Sequence, residues 1–242
     1  MRPGRILPVA VKAACVAVAS AGVVLMNEAH AQTSAYDHHR DVFARLEEKL
    51  GASMSDLLCG CRIDAVRGRV ADLPGCPVLA LAKYDGDADY VAMSIVESRV
   101  LAEPMACYAS TARVCRNEFG LPVRGEQCCA GAPEFLRRKN DPHLSVLVLR
   151  PVAVSLSGRR FTFGLDGDTP FPGCRIVTSP DGERWGVAPY MEGYFARSWL
   201  RAIERYGVRS ELVPGEIARI AARWPASYLE DVMRGQFRMR GY

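Results

Sequence analysis

The sequence predicts an exported, disulfide-stapled α+β domain. Three observations carry that expectation. A leader-like N-terminus precedes a chain of ordinary globular composition. An even set of cysteines follows the leader. Apolar spacing is helical near the two ends of the chain and breaks into short Val/Leu/Phe runs between them.

Residues 1–31 read as a signal peptide, with Arg2, Arg5 and Lys12 forming a basic start and Ala29-His30-Ala31 an A-x-A cleavage site. The apolar run between them, Ala13–Met26, has 14 residues and is too short to span a bilayer comfortably. The expected mature domain is 32–242, in the periplasm or the medium, with no membrane span. The leader takes three of the 31 Lys/Arg and one of the 27 Asp/Glu, so 28 basic residues stand against 26 acidic and the net charge falls from +4 to +2. Bulk charge therefore gives no argument for nucleic-acid binding, while leaving a local patch open. Of nine cysteines, Cys15 leaves with the leader. Cys59, Cys61, Cys76, Cys107, Cys115, Cys128, Cys129 and Cys174 remain. In an exported chain these predict up to four disulfides, in any of 105 pairings. A zinc site is disfavoured: Cys59-Gly60-Cys61 is C-x-C, Cys128-Cys129 is vicinal, and no histidine lies at ligand spacing from them.

In chain order, Tyr36, Val42, Phe43, Leu46 and Leu50 recur at helical spacing over 36–50, and Gly51 ends the run. Ile63, Val66 and Val70 predict a short hairpin turning at Arg67-Gly68. Residues 85–89 read as a loop, and the mostly apolar 90–101 fits strand or helix. The stretch Cys107–Cys129 is punctuated by Gly and Pro and reads as irregular and stapled. Pro133–Lys139 suits one or two helical turns. Val146–Leu156, rich in Val and Leu with Pro151 inside, reads as one or two strands near an edge or bulge. Further strands are expected at 161–163 and 174–178, around a Gly/Asp/Pro loop. The clearest element is a helix over 192–206. Phe195, Trp199, Leu200, Ile203 and Tyr206 form its apolar face, Arg197, Arg201 and Arg205 lie on another, and Gly207 is the stop. Helices at 215–223 and 227–233 close the chain.

Several pieces resemble the bacterial endonuclease I family, exported disulfide-bonded nucleases that cut DNA and RNA without sequence preference. Cys59-Gly60-Cys61-Arg62-Ile63 with Gly68, Asp72-Leu73 and Cys76 is similar to the family's opening segment. Cys128-Cys129, Pro133-Glu134-Phe135 and Asp141-Pro142-His143 resemble the approach to its D-x-H-N-L motif. Pro151–Gly158 with Arg159-Arg160 and Phe163-Gly164 matches the spacing of its P-x-x-G-E-V-N-G-x-R stretch. Cys174 matches a family cysteine. Gly193, Phe195-Ala196-Arg197 and Arg205-Tyr206-Gly207 resemble its G-x-I-A-R … R-Y-G helix, and Trp224-Pro225 with Glu230 its late Y-P … W-E. The resemblance covers about residues 40–230 and implies a ββα-metal (His-Me finger) core inside the α+β domain.

That chemistry needs an imidazole to activate water, a hard divalent ion such as Mg²⁺ on oxygen or amide ligands, and positive charge for the phosphate backbone. The resemblance implies a base within an E-H-V-V-P strand and a metal-binding Asn in H-N-L. Here the first motif aligns with Val96-Glu97-Ser98-Arg99-Val100-Leu101. Glu97 stands in the acidic position, and Ser98 or Arg99 in that of the histidine. An alternative register over Glu118–Pro122 replaces the histidine with Phe119. In the second motif Leu144, or Val148 in a second register, replaces the asparagine.

His38 and His39, in the leading helix, read as solvated surface residues, and His143 is the one candidate base near the implied site. Two readings follow. The first is a pseudo-nuclease that keeps the scaffold, with a DNA or RNA backbone or a protein as partner, and no firmly implied cofactor. The second is a divergent nuclease with His143 as base and Glu97, Glu118 or Asp141 holding Mg²⁺. In either, Arg137, Arg138, Lys139, Arg159, Arg160, Arg197, Arg201 and Arg205 are the candidate phosphate-binding residues.

Overall fold

The computed structural model describes residues 34–242, apart from 51–53, 66, 72–75, 77, 79–88, 110–114, 117 and 118. The signal-peptide reading of 1–31, the Gly51 stop, Val66, Asp72-Leu73, most of the 85–89 loop and Glu118 therefore lie outside the described residues.

The described residues open with α1 (Ala35–Leu50), started by a reciprocal cap: the Asp37 backbone N–H donates to Ser34 Oγ and the Ser34 N–H to Asp37 Oδ2. A hairpin follows, β1 (Ile63–Asp64) against β2 (Arg69–Val70). Gly68 turns it at φ +68°, with Tyr36 Oη 1.8 Å from where a Cβ would sit.

The ambiguous 90–101 segment is strand and then helix: β3 (Tyr90–Ser94), then α2 (Ser98–Ala102). β3 pairs antiparallel with β6 (Ser145–Leu149), from Tyr90 opposite Leu149 to Ser94 opposite Ser145. All five residues of β6 are buried, which accounts for the unbroken apolar run Val146–Leu149 after Ser145. Between these strands lies the stapled region: α3 (Ala106–Ala109), a β4 (Cys115–Arg116) and β5 (Pro122–Val123) hairpin, α4 (Glu126–Cys129) and α5 (Pro133–Lys139).

The strand reading of Val146–Leu156 is corrected beyond Leu149. Arg150–Leu156 is a helix, α6, with Pro151 in its first turn. There the missing N–H leaves no helical hydrogen bond unmade and the fixed φ suits the helix. A three-stranded sheet follows in the order β7 (Arg160–Phe161), β9 (Arg184–Val187), β8 (Ile176–Thr178). Sequence pattern had not marked β9, whose Trp185-Gly186-Val187 is buried with no alternation to signal a strand.

The helix α7 (Glu192–Tyr206) matches its expected range, ending at Gly207 with φ +66°. Phe195 stacks on Phe161 at 5.0 Å, so α7 closes the core over the sheet. Gly193 lets α7 approach the chain after α8 (Pro214–Arg223), where the Trp224 carbonyl oxygen stands 2.1 Å from where a Cβ would be. The last helix, α9 (Tyr228–Met239), runs past the expected 233 because Phe237 is also buried, and the Ser227 hydroxyl caps it.

The eight described cysteines all pair: Cys59–Cys174, Cys61–Cys76, Cys107–Cys129 and Cys115–Cys128. The vicinal Cys128-Cys129 thus holds α4 to two different segments. Asp56, which the sequence did not single out, organises the Cys59-Gly60-Cys61 turn. Its buried carboxylate accepts from the backbone N–H groups of Leu58, Cys59 and Cys61, and from the Tyr90 hydroxyl at 3.2 Å. No helix among the described residues is long and apolar enough to cross a membrane.

Candidate functional site

The polar residues singled out from the sequence divide between an open cleft and a buried network. The cleft runs along β3 and consists of three adjoining hollows. The first, ≈ 280 Å³, and the second, ≈ 590 Å³, share Glu97, Arg99, Arg160 and Phe161. The third, ≈ 740 Å³, meets the second at Ser94 and Ser98. Four arginines line the first two hollows, Arg99, Arg159, Arg160 and Arg209. Arg67, Arg69, Lys139 and Arg150 line the third. Against these eight stand four acids, Glu97, Glu126, Glu211 and Asp89. The surplus of four exceeds the +2 of the whole expected mature chain, so positive charge is concentrated here.

Some of that charge is locally balanced. Arg160 meets Glu211 at 2.7 Å, and Asp89 lies 3.3 Å from Arg69 and 3.8 Å from Arg150. The described residues place no acid within ion-pair distance of Lys139, Arg159 or Arg209. The paired arginines, Arg69, Arg150 and Arg160, are 56–61 % exposed, so their pairs are weak and open to exchange with an incoming anion.

Glu97 lies on the seam of the first two hollows. It precedes the helix α2, where the resemblance implies a strand, and its backbone carbonyl accepts from the Leu101 N–H. Leu101 and Ala102 are fully buried, which draws the 98–102 segment into a helical turn on the core.

The buried network lies under α7 and α9. Asp141 is 0 % exposed. Its Oδ1 accepts from the His143 backbone N–H, and its Oδ2 from Tyr206 Oη at 2.8 Å and Arg201 Nε at 3.2 Å, with Arg205 3.7 Å away. Glu230, also buried, takes a two-pronged contact from Arg197 and a third from Arg234 Nε at 2.7 Å. Arg197 also donates to the Ala221 and Trp224 carbonyls. The Arg197/Arg201/Arg205 stripe thus turns towards internal carboxylates and lines none of the three hollows. Arg138 is likewise internal, donating to the Leu101 and Tyr206 carbonyls and to Glu134. Arg137 is exposed outside the hollows. Of the eight predicted phosphate-binding residues, Lys139, Arg159 and Arg160 reach the cleft. Arg67, Arg69, Arg99, Arg150 and Arg209 join them from positions with no shared sequence spacing.

The three described histidines are interior residues. The solvated reading of His38 and His39 is corrected, because they lie on the packed face of α1 and are 5 % and 1 % exposed. His39 Nε2 meets Ser145 Oγ at 3.1 Å, its ring stands edge-on to Phe237, and His38 Nε2 contacts the Tyr242 hydroxyl. His143 is 2 % exposed, with its ring edge-on to Phe237 and Nδ1 3.4 Å from Arg234 Nη1. Burial, reinforced by the nearby Arg201 guanidinium, pulls its pKa down to about 3. His39 is drawn down to about 4, again chiefly by burial. Neither histidine lines the cleft.

No family model and no curated protein matches this chain.

The implied Mg²⁺ chemistry can be tested on the donors. Glu97 faces the cleft, whereas Asp141 is occupied by Arg201, Tyr206 and the His143 N–H deep in the network. Among the described residues no three His, Cys, Asp or Glu side chains gather as a metal-binding group. The described donors do not fit the ion that the resemblance implies. What the cleft can do chemically is hold a chain of negative charges.

The histidines have a consequence for folding. Below pH 6.5 the unfolded chain takes up protons that the folded His39 and His143 refuse. Stability therefore falls as pH falls, from about 6.5 towards 4 for His39 and towards 3 for His143, at about 1.4 kcal/mol per pH unit for each site. Denaturant unfolding of wild type and His143→Gln between pH 7 and 4 is expected to give a slope shallower by about one proton in the variant. Equal slopes would show that His143 takes up its proton with the chain folded.

Proposed function

We propose that this protein is an exported, endonuclease I-like binding protein that holds a nucleic-acid backbone without hydrolysing it. The observation that carries the reading is the cleft along β3, where a surplus of arginine and lysine coincides with the Glu97 segment while every described histidine is buried elsewhere. The resemblance supports it, as does the setting: β3 and β6 pair antiparallel, α6 leaves directly from β6, and the second hollow lies against β3 and α6. That is compatible with the strand–strand–helix order of a ββα core. The four disulfides suit an oxidising compartment and so agree with export. Ser98 or Arg99 stands in place of the imidazole without its chemistry, since a hydroxyl needs its own activator and a guanidinium stays protonated.

The test uses the oxidised, purified protein and labelled oligonucleotides at several salt concentrations. Binding is expected to weaken steeply with salt. Arg159→Ala with Arg160→Ala should reduce the log–log slope by about 1–2 units, as expected for two lost phosphate contacts. Arg201→Ala should leave that slope unchanged and lower thermal stability, because its guanidinium is committed to Asp141. A plasmid incubated with Mg²⁺ is expected to stay intact. Cleavage that disappears in His143→Ala would overturn the reading in favour of the rebuilt nuclease. No oligonucleotide binding at low salt would overturn the backbone-binding reading.

A further inference from the structure

The first hollow is lined by three aromatic side chains, Phe161, Phe163 and Trp199, against two in each of the others. Its deep wall is formed by Trp199 of α7 and Phe161 of β7, 8 % and 7 % exposed. Phe163, half-buried, stands edge-on to Phe161 with ring centroids 4.9 Å apart. Val100 of α2 and Leu212, beyond α7, close two further sides. Four separated pieces of chain thus make one apolar recess, and its lip carries Arg99, Arg160 and Arg209.

We propose that this recess receives one unstacked base of a single-stranded nucleic acid whose flanking phosphates lie on Arg99, Arg160 and Arg209. The inference rests on the backbone-binding reading and adds to it a strand preference. The recess asks for a ligand with a flat apolar body and negative charge immediately beside it, which a nucleotide within a strand provides. At ≈ 280 Å³ it lies at the small end of ligand cavities, roughly 300–1,000 Å³, and suits one ring system. Aromatic rings and guanidinium planes are the groups on which unpaired bases stack, whatever the base. A base within a duplex is already stacked and paired and cannot enter without being extruded.

The lip is able to exchange partners. Arg99 and Arg160 are 64 % and 57 % exposed, and they meet Glu103 at 3.9 Å and Glu211 at 2.7 Å. Such solvated pairs hold weakly and release their guanidiniums to a phosphate. Arg209 has no acid in reach among the described residues. Glu97 and Glu211 are the only acids among the residues lining this hollow, so its balance is positive by one.

The experiment compares three labelled probes at one salt concentration by fluorescence anisotropy: a single-stranded 12-mer, the same strand carrying abasic sites, and the blunt duplex. The single strand is expected to bind at least tenfold more tightly than the abasic strand and the duplex. Phe163→Ala is expected to bring the single strand to within twofold of the abasic strand while leaving the abasic affinity unchanged. Arg209→Ala should weaken all three probes. If Phe163→Ala fails to fold, Leu212→Ser on the opposite, half-exposed wall replaces it with the same expected loss. Equal affinity for intact and abasic strands would overturn the base recess and leave the backbone reading standing. A preference that survives the wall variants would overturn it as well, since the base would then be held elsewhere. Failure of all three probes to bind would overturn both readings.

Discussion

Asp141→Ala is expected to destabilise the fold by about 3–5 kcal/mol, the range for breaking a buried ion pair by removing one partner. Asp141 is fully buried and accepts from a guanidinium, a phenol and a backbone N–H, with a second guanidinium 3.7 Å away. Removing the carboxylate leaves Arg201 and the Tyr206 hydroxyl facing one another with no acceptor between them. It also removes the bond that shapes the Pro142–Leu144 turn leading into β6. Asp141→Asn should cost less, because the amide oxygen can still accept one bond. Equilibrium unfolding in urea measures both. A double-mutant cycle with Arg201→Ala should return a coupling of about 1–3 kcal/mol, since the two residues are in direct contact. A loss below about 1 kcal/mol for Asp141→Ala would mean that the network is not what holds α7 against the 142–144 turn.

The second large effect concerns Cys59–Cys174. This bridge links residues 115 apart, against 22, 15 and 13 for the others. On chain-entropy grounds it removes about 5 kcal/mol of freedom from the unfolded chain, and the 15-residue Cys61–Cys76 loop about 3 kcal/mol. The other three bridges lie inside the long loop and shorten its effective length. The dependence is logarithmic, so this changes the figure by only a few tenths of a kcal/mol. The Cys59→Ser/Cys174→Ser double variant is therefore expected to lose more stability than the equivalent variant at any other bridge. Thermal unfolding of the four double variants gives the ranking, and a larger loss at Cys115–Cys128 would reverse the argument. Cys59–Cys174 also ties the Asp56-organised turn to the β8 approach, where the Arg175 N–H donates to the Leu58 carbonyl. Local order at that junction should fall with it.

Local patterns in the sequence carried much of the secondary structure. The 192–206 helix was legible because its apolar spacing and its glycine stop agree. The Ile63/Val70 hairpin was legible because Arg67-Gly68 supplies the turn. The strand reading after Leu149 failed for a physical reason: β-branched residues fit a buried strand and a short buried helix alike, and Pro151 is as suited to a helix start as to a sheet edge. The histidines failed for another reason. His38 and His39 have charged neighbours in sequence, yet His39 packs on Ser145 of β6 and Phe237 of α9 and His38 on Tyr242, and a sequence window cannot tell which polar side chains fall on a packed face.

The candidate site was legible in even smaller part. Arg159-Arg160 and Glu97 were named in advance and do line the cleft. Arg99, Arg150 and Arg209 come from distant segments that only chain folding brings together. The regular Arg197/Arg201/Arg205 stripe, the more conspicuous pattern in sequence, is turned to Asp141 and Glu230.

By itself the sequence determined the cysteine count, the mixed α+β character and the helical and strand periods, because these depend on neighbours within a few residues. The tertiary structure alone decided which cysteines pair, which arginines face a carboxylate and which face an open cleft, and that His38, His39 and His143 are buried. Those outcomes depend on contacts between residues far apart in the chain, where burial and opposing charge outweigh any local pattern.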